Sequence, residues 1–415
     1  MREGTVVANS PFGSGPPPVL SILIPTHDRQ RYAACAVAAL ANNLPRSEII
    51  VCDTSAEDLL SRELADWVAR GRVRLIRPVS DRQLTVVDNF REAARHATGD
   101  YLIFIGDDDF VHSSAEEIAA WAREQGVDSV RCTFPASYYW PDFSSRYFGD
   151  GYAAKLAVLP FTSTVRPFDA AEAYREALDL LGAGVLRMPR AYLGMVSRAL
   201  VERIEVRHGS LFGGVSPDAY SAALISAEAL SAVEIDFPFI VPGSSGASTS
   251  GQSAEGRHKG KLRDNAHIGP FHDLAWDPRI PEFYSVPTVW SYSLIKAAEK
   301  LGDDRTANFP RLYAKCFFAH PSYYRETLDA VAVYARYRGW FATAFSISKE
   351  ATLELAGQAM RVIRRIRHPS ATATASTFAG VRDCQEATAA LTAHIAALSK
   401  AQHVWPWSRA SADAD

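Results

Sequence analysis

The 415 residues predict an α/β fold: a mostly parallel sheet flanked by helices and followed by a helical C-terminal region. Three observations carry that prediction. From Val19 to about residue 242, short apolar runs alternate with longer stretches of helical period, the pattern of strands joined by crossover helices. Polar and acidic clusters stand directly after several apolar runs, where such a sheet exposes its strand ends. From Val286 to about residue 400 the short apolar runs give way to helical period alone.

The elements follow in order. Val19-Leu20-Ser21-Ile22-Leu23-Ile24 is the first strand, stopped by Pro25, and a helix over 32–42 comes next. A strand at 48–52, a helix from about 57 to 69 and a strand at 73–76 continue the alternation. Residues 88–97 read as a helix because Phe90, Ala93, Ala94 and Ala97 share one face. Tyr101-Leu102-Ile103-Phe104-Ile105 is apolar throughout, as a buried strand is. Between about 127 and 168 the pattern is aromatic and irregular, with one strand at Ser129-Val130-Arg131-Cys132. A helix over 168–181, a strand at 191–196, a helix over 217–230 and a last strand at 234–241 complete this part. Residues 243–265 are rich in Gly and Ser, with Arg257, His258, Lys259, Lys261 and Arg263 in the second half, which predicts a long exposed loop acting as a lid. The expected organisation is a mobile tail at 1–18, a catalytic domain at 19–242 with halves at about 19–110 and 111–242, a lid and linker at 243–285, helices over 286–400 and a polar tail at 401–415.

Composition bounds the function. With 47% hydrophobic and 22% charged residues the chain is that of an ordinary globular protein, and its length exceeds what one core usually organises. A formal net charge of -3 argues against a general nucleic-acid binder. Cys35, Cys52, Cys132, Cys316 and Cys384 lie far apart with no Cys-x-x-Cys pair, which suggests neither zinc nor a disulfide framework and fits a cytoplasmic protein. The N-terminus lacks the basic and apolar regions of a signal peptide. No run approaches the roughly 20 apolar residues a spanning helix needs, so any membrane contact is peripheral, at the inner face.

Three strand ends concentrate the polar chemistry: Pro25-Thr26-His27-Asp28-Arg29, Asp53-Thr54-Ser55 and Gly106-Asp107-Asp108-Asp109. Each alone reads equally as a turn, since Asp and Thr favour turns. Together they mark a ligand crevice at the carboxyl ends of the strands. Three adjacent carboxylates after a buried strand repel one another, and nothing nearby in sequence relieves them. A hard divalent cation, Mg²⁺ or Mn²⁺, would do so, taking one or two carboxylates and completing its shell with phosphates and water.

From Leu20 to about Leu230 the chain resembles the family 2 glycosyltransferases, which have the Rossmann-like GT-A fold. The motifs that carry the resemblance are Ser21-Ile22-Leu23-Ile24-Pro25-Thr26-His27-Asp28-Arg29, Ile49-Ile50-Val51-Cys52-Asp53, Asn89, and the stretch from Ala97-Thr98-Gly99-Asp100 to Asp107-Asp108-Asp109. The resemblance implies nucleotide contacts for Pro25, Thr26, His27, Asp28, Arg29, Asp53, Asn89, Asp107 and Asp108. It also implies that the family's Asp-x-Asp motif falls on the triplet, with Asp108 and Asp109 at the metal. Its register stays open, because Gly106 stands where the family usually has an acid and Asp107 with Asp109 form the alternative pair. Asp28 stands where the family often has Asn.

The segment Gly213-Gly214-Val215-Ser216-Pro217-Asp218 is a Gly-rich turn into a helix, where Ser, Pro and Asp are ordinary capping residues. By the same resemblance it lies where the family places a catalytic base, which implies that role for Asp218. The implied activity is inverting transfer of a sugar from a nucleotide diphosphate donor, UDP foremost, to a carbohydrate or lipid-linked saccharide acceptor in surface polysaccharide or glycoconjugate assembly. A nucleotidyltransferase or a dinucleotide-binding oxidoreductase would need a Gly-rich turn after the first strand, and 25–31 contains no Gly. A non-catalytic carbohydrate-binding protein on the same fold is the remaining alternative. Arg361, Arg364, Arg365 and His368 line one side of a helix, readable as a solvated face or as a face lying on an anionic membrane. His258 and His267 read as exposed loop residues or phosphate contacts. Trp276 and Trp290 read as core or as sugar platforms.

Overall fold

The apolar runs become strands where burial requires it. The computed structural model describes residues 6–7, 18–146, 148–255, 259–367, 375–402 and 405–407. Its first half contains β1 (Val6–Val7), β2 (Leu20–Thr26), α1 (Gln30–Asn43), β3 (Glu48–Asp53), α2 (Leu60–Glu63), α3 (Ala65–Ala69), β4 (Arg74–Ile76), α4 (Val86–Arg95), β5 (Tyr101–Phe104), β6 (Phe110–Val111), α5 (Ser114–Glu124), β7 (Ser129–Cys132), β8 (Ala136–Tyr139), β9 (Lys155–Val158) and β10 (Val165–Pro167). There follow α6 (Ala170–Asp179), β11 (Met195–Ser197), α7 (Arg198–His208), α8 (Pro217–Glu228), β12 (Ala232–Ile235), β13 (Ile240–Val241), β14 (Gly243–Ser244), α9 (Thr249–Ala254), β15 (Lys259–Lys261), β16 (Phe283–Ser285), α10 (Val286–Leu301), α11 (Phe309–Ala319), α12 (Tyr324–Arg338), α13 (Trp340–Arg367), β17 (Ser376–Ala379) and α14 (Cys384–Gln402).

The central sheet has nine strands in the order β1-β4-β3-β2-β5-β11-β7-β12-β10. Strands β4, β3, β2, β5, β7 and β12 run one way, while β1, β11 and β10 run against them. β3 is buried at every position, as a strand covered on both faces must be. One core, on the α4, α6, α8, α10 and α11 side, centres on Phe90, Phe104, Phe212 and Tyr313. The other, on the α1, α5 and α14 side, centres on Ile22, Ile24, Val51 and Tyr138. The ends of β2, β3 and β5 therefore open together at one edge between two rigid layers.

Several expectations from the sequence are corrected. The irregular stretch after residue 127 holds the β8/β9 hairpin, to which β14 and β17 add as a second, four-stranded sheet. The single strand expected at 234–241 is β12 and β13, broken where Asp236 turns to accept hydrogen bonds from Thr133 and Thr162 and Pro238 removes a donor. Among the described residues of 243–265, β14, α9 and β15 interrupt the expected loop, and Gly243, Ser245, Ser248 and Leu262 are buried while Gln252, Lys259, Lys261 and Arg263 are exposed. The C-terminal region is helical as expected, with one strand, β17, that returns to pair with β9. The N-terminal tail includes β1 on the edge of the main sheet, and within the polar tail Trp407 is buried against Phe237.

Candidate active site

The half of the site at the ends of β2 and β3 is built by register. Parallel pairing of β2 with β3 places Thr26 beside Asp53, and the chain beyond them is tied by the Thr54 amide donating to the Thr26 carbonyl at 3.1 Å. Asn89, on the buried face of α4, donates through Nδ2 to the same carbonyl at 3.0 Å and to Thr54 Oγ1 at 3.2 Å. Asp53 Oδ1 accepts from the Ser55 amide at 2.9 Å. Asp53 Oδ2 and Asn89 Oδ1 are buried without a hydrogen-bond partner, and buried acceptors left in this state cost free energy until something donates to them. His27 and Asp28 are exposed on the turn. Asp28 adopts a left-handed φ of 54°, tolerated by Asp more readily than by most residues, and its amide donates to Ser55 Oγ at 2.8 Å.

The Asp triplet is buried and its charge is answered from far away in sequence. Arg29, one residue before α1, places Nη1 2.7 Å from Asp107 Oδ1 and Nη2 3.0 Å from Asp108 Oδ2. Burial opposes the guanidinium charge, yet the two carboxylates hold it above its ordinary range. Thr26 Oγ1 donates to Asp107 Oδ2 at 2.8 Å. Asp108 Oδ2 also accepts from the amide and hydroxyl of Ser245 at 3.0 and 2.8 Å. Asp109 is turned to backbone: Oδ1 accepts from the Gly243 amide and Oδ2 from the Gly106 amide, both at 2.7 Å, while Tyr192 Oη reaches Oδ2 at 3.3 Å. Burial pushes the Asp107 and Asp109 carboxyls up, and Asp108 adds to the push on both. One guanidinium against three carboxylates leaves the cluster short of positive charge.

That arrangement can be tested against a divalent cation. Each Asp109 oxygen already accepts a backbone amide, which leaves one lone pair on each for a cation, with Tyr192 Oη beside that of Oδ2. Asp108 fits, because its Oδ1 carries no hydrogen bond among the described residues. No group of three or more His, Cys, Asp or Glu side chains forms a metal cage among the described residues. One carboxylate oxygen beside a diphosphate is nevertheless an ordinary protein share of an Mg²⁺ or Mn²⁺ shell.

With the strand ends and the triplet in place, the comparisons with known proteins bear on the site. Residues 21–174 match the family model of glycosyl transferase family 2. That segment, less than half of the chain, contains the motifs from Ser21 to Asp109 on which the resemblance rests. The comparison with curated proteins gave no match. Among solved structures, S. aureus TarS 1–349 in complex with UDP-GlcNAc is 13% identical, covering 74% of this chain and 73% of that one with a TM-score of 0.44. The mannosyltransferase PcManGT from Pyrobaculum calidifontis, in complex with GDP-Man and Mn²⁺, is 15% identical, covering 95% and 90% with a TM-score of 0.35.

The family 2 segment contains Thr26, Asp53, Asn89 and the triplet, whereas Asp218 lies outside it. Asp218 stands in the first turn of α8 behind Pro217. The turn before it is fixed by Ser293 of α10, whose Oγ accepts from the amides of Val215 and Ser216 at 3.1 and 2.8 Å. A Cβ on Gly213 would meet the Tyr220 ring at 2.6 Å, so this turn needs glycine. Burial raises the Asp218 carboxyl, and the Arg190 guanidinium opposes that rise. The charge of Asp218 in turn acts on Tyr192 and Tyr284. Behind burial, Asp109 and Asp218 both push the Tyr192 hydroxyl up.

Sequence reasoning missed Arg190, Tyr192, Ser245 and Trp140, the last donating through Nε1 to the Asp108 carbonyl at 2.9 Å. Arg190 lies over the Phe134 ring, 5.1 Å from its centroid, and its Nε is buried with no hydrogen-bond partner. His267 is half-buried rather than exposed, 2.7 Å from the Val215 carbonyl. His258 lies outside the described residues. Trp276 stacks on Tyr292 at 4.6 Å, and the Trp290 ring fills the space beside Gly184. Both tryptophans pack within the protein.

Proposed function

We propose that the chain is an inverting glycosyltransferase that moves a sugar from a nucleoside diphosphate donor, a UDP-sugar first, to a hydroxyl of a carbohydrate or lipid-linked saccharide. The observation that carries this reading is the convergence at one sheet edge of the polar wall of Thr26, Asp53 and Asn89 with a buried acidic triplet, while the Asp218 carboxyl, raised by burial, acts electrostatically on the same Tyr192 that touches Asp109. Asp53 Oδ2 and Asn89 Oδ1 are the acceptors a ribose or base would satisfy, with Thr26, His27 and Asp28 beside them. Asp218 takes the proton from the acceptor hydroxyl as that oxygen attacks the anomeric carbon. The bond to the diphosphate oxygen breaks with its electron pair, and the sugar inverts. Arg190 opposes the rise that burial imposes on Asp218 and so favours the ionised form from which it acts as a base. Arg29 offers the nearest guanidinium to charge developing beside Asp107 and Asp108. Asp108 would hold a bound Mn²⁺ or Mg²⁺, which supplies electrostatic stabilisation of the leaving diphosphate. The assignment to polysaccharide or glycoconjugate assembly at the cytoplasmic face belongs to the same reading.

Calorimetric titration of UDP into the full chain, in Mn²⁺ and in chelator, tests the donor half. Affinity should fall at least tenfold in chelator, and Asp108→Asn should remove most of the difference. Equal affinity in both buffers would overturn the metal role of Asp108. Absence of binding by UDP, GDP and dTDP alike would overturn the donor site.

A further inference from the structure

Helix α13 is inverted in polarity over its first turns. Its acids Glu350 and Glu354 face inward, 9% and 8% exposed, where they hold Arg311 of α11 at 3.4 and 2.9 Å. Outward it carries Phe341, 95% exposed, and Phe345, 74% exposed, one turn apart on the same face. Trp340 is 61% exposed, and Tyr337, just across the bend at Gly339, is 81% exposed. An ordinary surface helix buries its rings and hydrates its acids. Four large rings gathered at one bend mark a surface that something covers.

The bend at Gly339 carries cations, and the nearest exposed acid of α12, Asp329, stands about two turns before Arg336. Residues 330–349 include Arg336, Arg338 and Lys349 and no Asp or Glu, and neither arginine has a carboxylate partner among the described residues. Tyr337 and Arg338 also line a cavity of about 630 Å³ with Trp276 and Tyr334 in its wall, and the acids of that wall, Asp277 and Glu299, are held by Arg279 and Lys296. No helix among the described residues is long and apolar enough to cross a membrane.

We infer that the α12–α13 corner docks the protein on a membrane surface bearing anionic phospholipid headgroups. Trp340, Phe341, Phe345 and Tyr337 seat at headgroup depth, where amphipathic and aromatic rings are favoured. Arg336 and Arg338 meet the phosphates. A second copy of the chain is the poorer occupant: self-pairing would bring Arg336 and Arg338 of both copies together, while the acids of the adjoining cavity, Asp277 and Glu299, are already paired with Arg279 and Lys296. The inference does not depend on the glycosyl-transfer reading, since none of these residues belongs to the proposed site.

Sedimentation of the full chain with vesicles of phosphatidylcholine alone, or with phosphatidylglycerol added, tests it. The protein should pellet with the anionic vesicles, lose binding as salt rises, and stay largely in solution with the neutral ones. Trp340→Ser with Phe341→Ser and Phe345→Ser should lower partitioning roughly a hundredfold, from the lost burial of three rings. Arg336→Glu with Arg338→Glu should erase the preference for anionic vesicles. Val206→Ser, at an exposed apolar position on α7, should change nothing, and near-ultraviolet circular dichroism should show each variant folded. The inference is overturned if the wild type stays in solution with anionic vesicles or if the triple variant pellets equally. It is also overturned if light scattering shows a vesicle-free dimer that the triple variant abolishes, since a second copy would then cover the corner.

Discussion

A carboxylate serves as a base when it is ionised at working pH yet gains from accepting a proton, and the surroundings of Asp218 act in both directions. Burial raises its pKa and Arg190 opposes the rise. Asp218→Asn preserves shape and the first-turn position while removing the proton acceptor. We expect transfer to fall roughly 10²–10⁴-fold with nucleotide affinity unchanged. Should the turnover of that variant with the true donor and acceptor equal wild type, the base lies elsewhere. Asp109 predicts the opposite phenotype, because its two oxygens accept backbone amides from Gly243 and Gly106. Asp109→Asn turns one acceptor into a donor facing an N–H group, so denaturation should show a loss of about 1–3 kcal/mol; unchanged stability would show that these two amide bonds do not hold the fold together. At this scale the sequence was legible wherever a polar residue directly follows an apolar strand, as Thr26, Asp53 and the triplet do. Arg29 was legible as a member of a motif, but its pairing with Asp107 and Asp108 is a contact across the sheet that no local pattern encodes. Tyr192 was hidden because it sits in irregular backbone, next to Leu193 with a left-handed φ of 54°.

Among the elements, the segment from 243 onward shows how composition misleads. Gly and Ser suggested mobility, whereas the fold uses them for close approach. A Cβ on Gly243 would lie 1.8 Å from the Asp108 carbonyl oxygen, and one on Gly251 would lie 2.0 Å from that of Ser245. Ser245 is small enough to be buried while giving both its amide and its hydroxyl to Asp108. The amides of Gly243, Ser245 and Gly251 should therefore be protected from hydrogen exchange before any nucleotide is added, as amides held in buried hydrogen bonds are. Exchange at the rate of an open loop in the nucleotide-free protein, with protection appearing only on donor binding, would restore the lid. The strands and helices around the site were legible from period, because 2 and 3.6 are properties of neighbouring residues. The four-stranded sheet was not legible, since it joins β14, β8, β9 and β17 from distant stretches.

The whole molecule is interlocked across the boundaries that the sequence suggests. A reading by pattern separates a catalytic domain ending near 242 from helices and a polar tail, because composition changes there. In three dimensions the chain comes back: β17 pairs with β9, and the Val381 amide donates to the Ala154 carbonyl at 3.0 Å. α14 packs on α1 with Ala387, Leu391 and Ile395 in the same core as β2. At the end of the described chain, Trp407 is fully buried with its ring 5.2 Å from that of Phe237. The tie reaches the triplet itself, where Cys384 at the start of α14 lies 3.9 Å from the Asp108 carbonyl. Removing this return should thus damage the donor site as well as stability. Trp407→Ala in the full chain leaves a cavity in the lower core and should cost about 3–5 kcal/mol in denaturant unfolding. A chain ending at residue 370 loses β17, α14 and Trp407 together, uncovers the α1 face and leaves β9 as an open edge, so it should neither unfold cooperatively nor bind the nucleotide. Were that shortened chain to unfold in a single sharp transition and bind UDP with wild-type affinity, the C-terminal return would be an addition to a self-sufficient domain rather than part of its core.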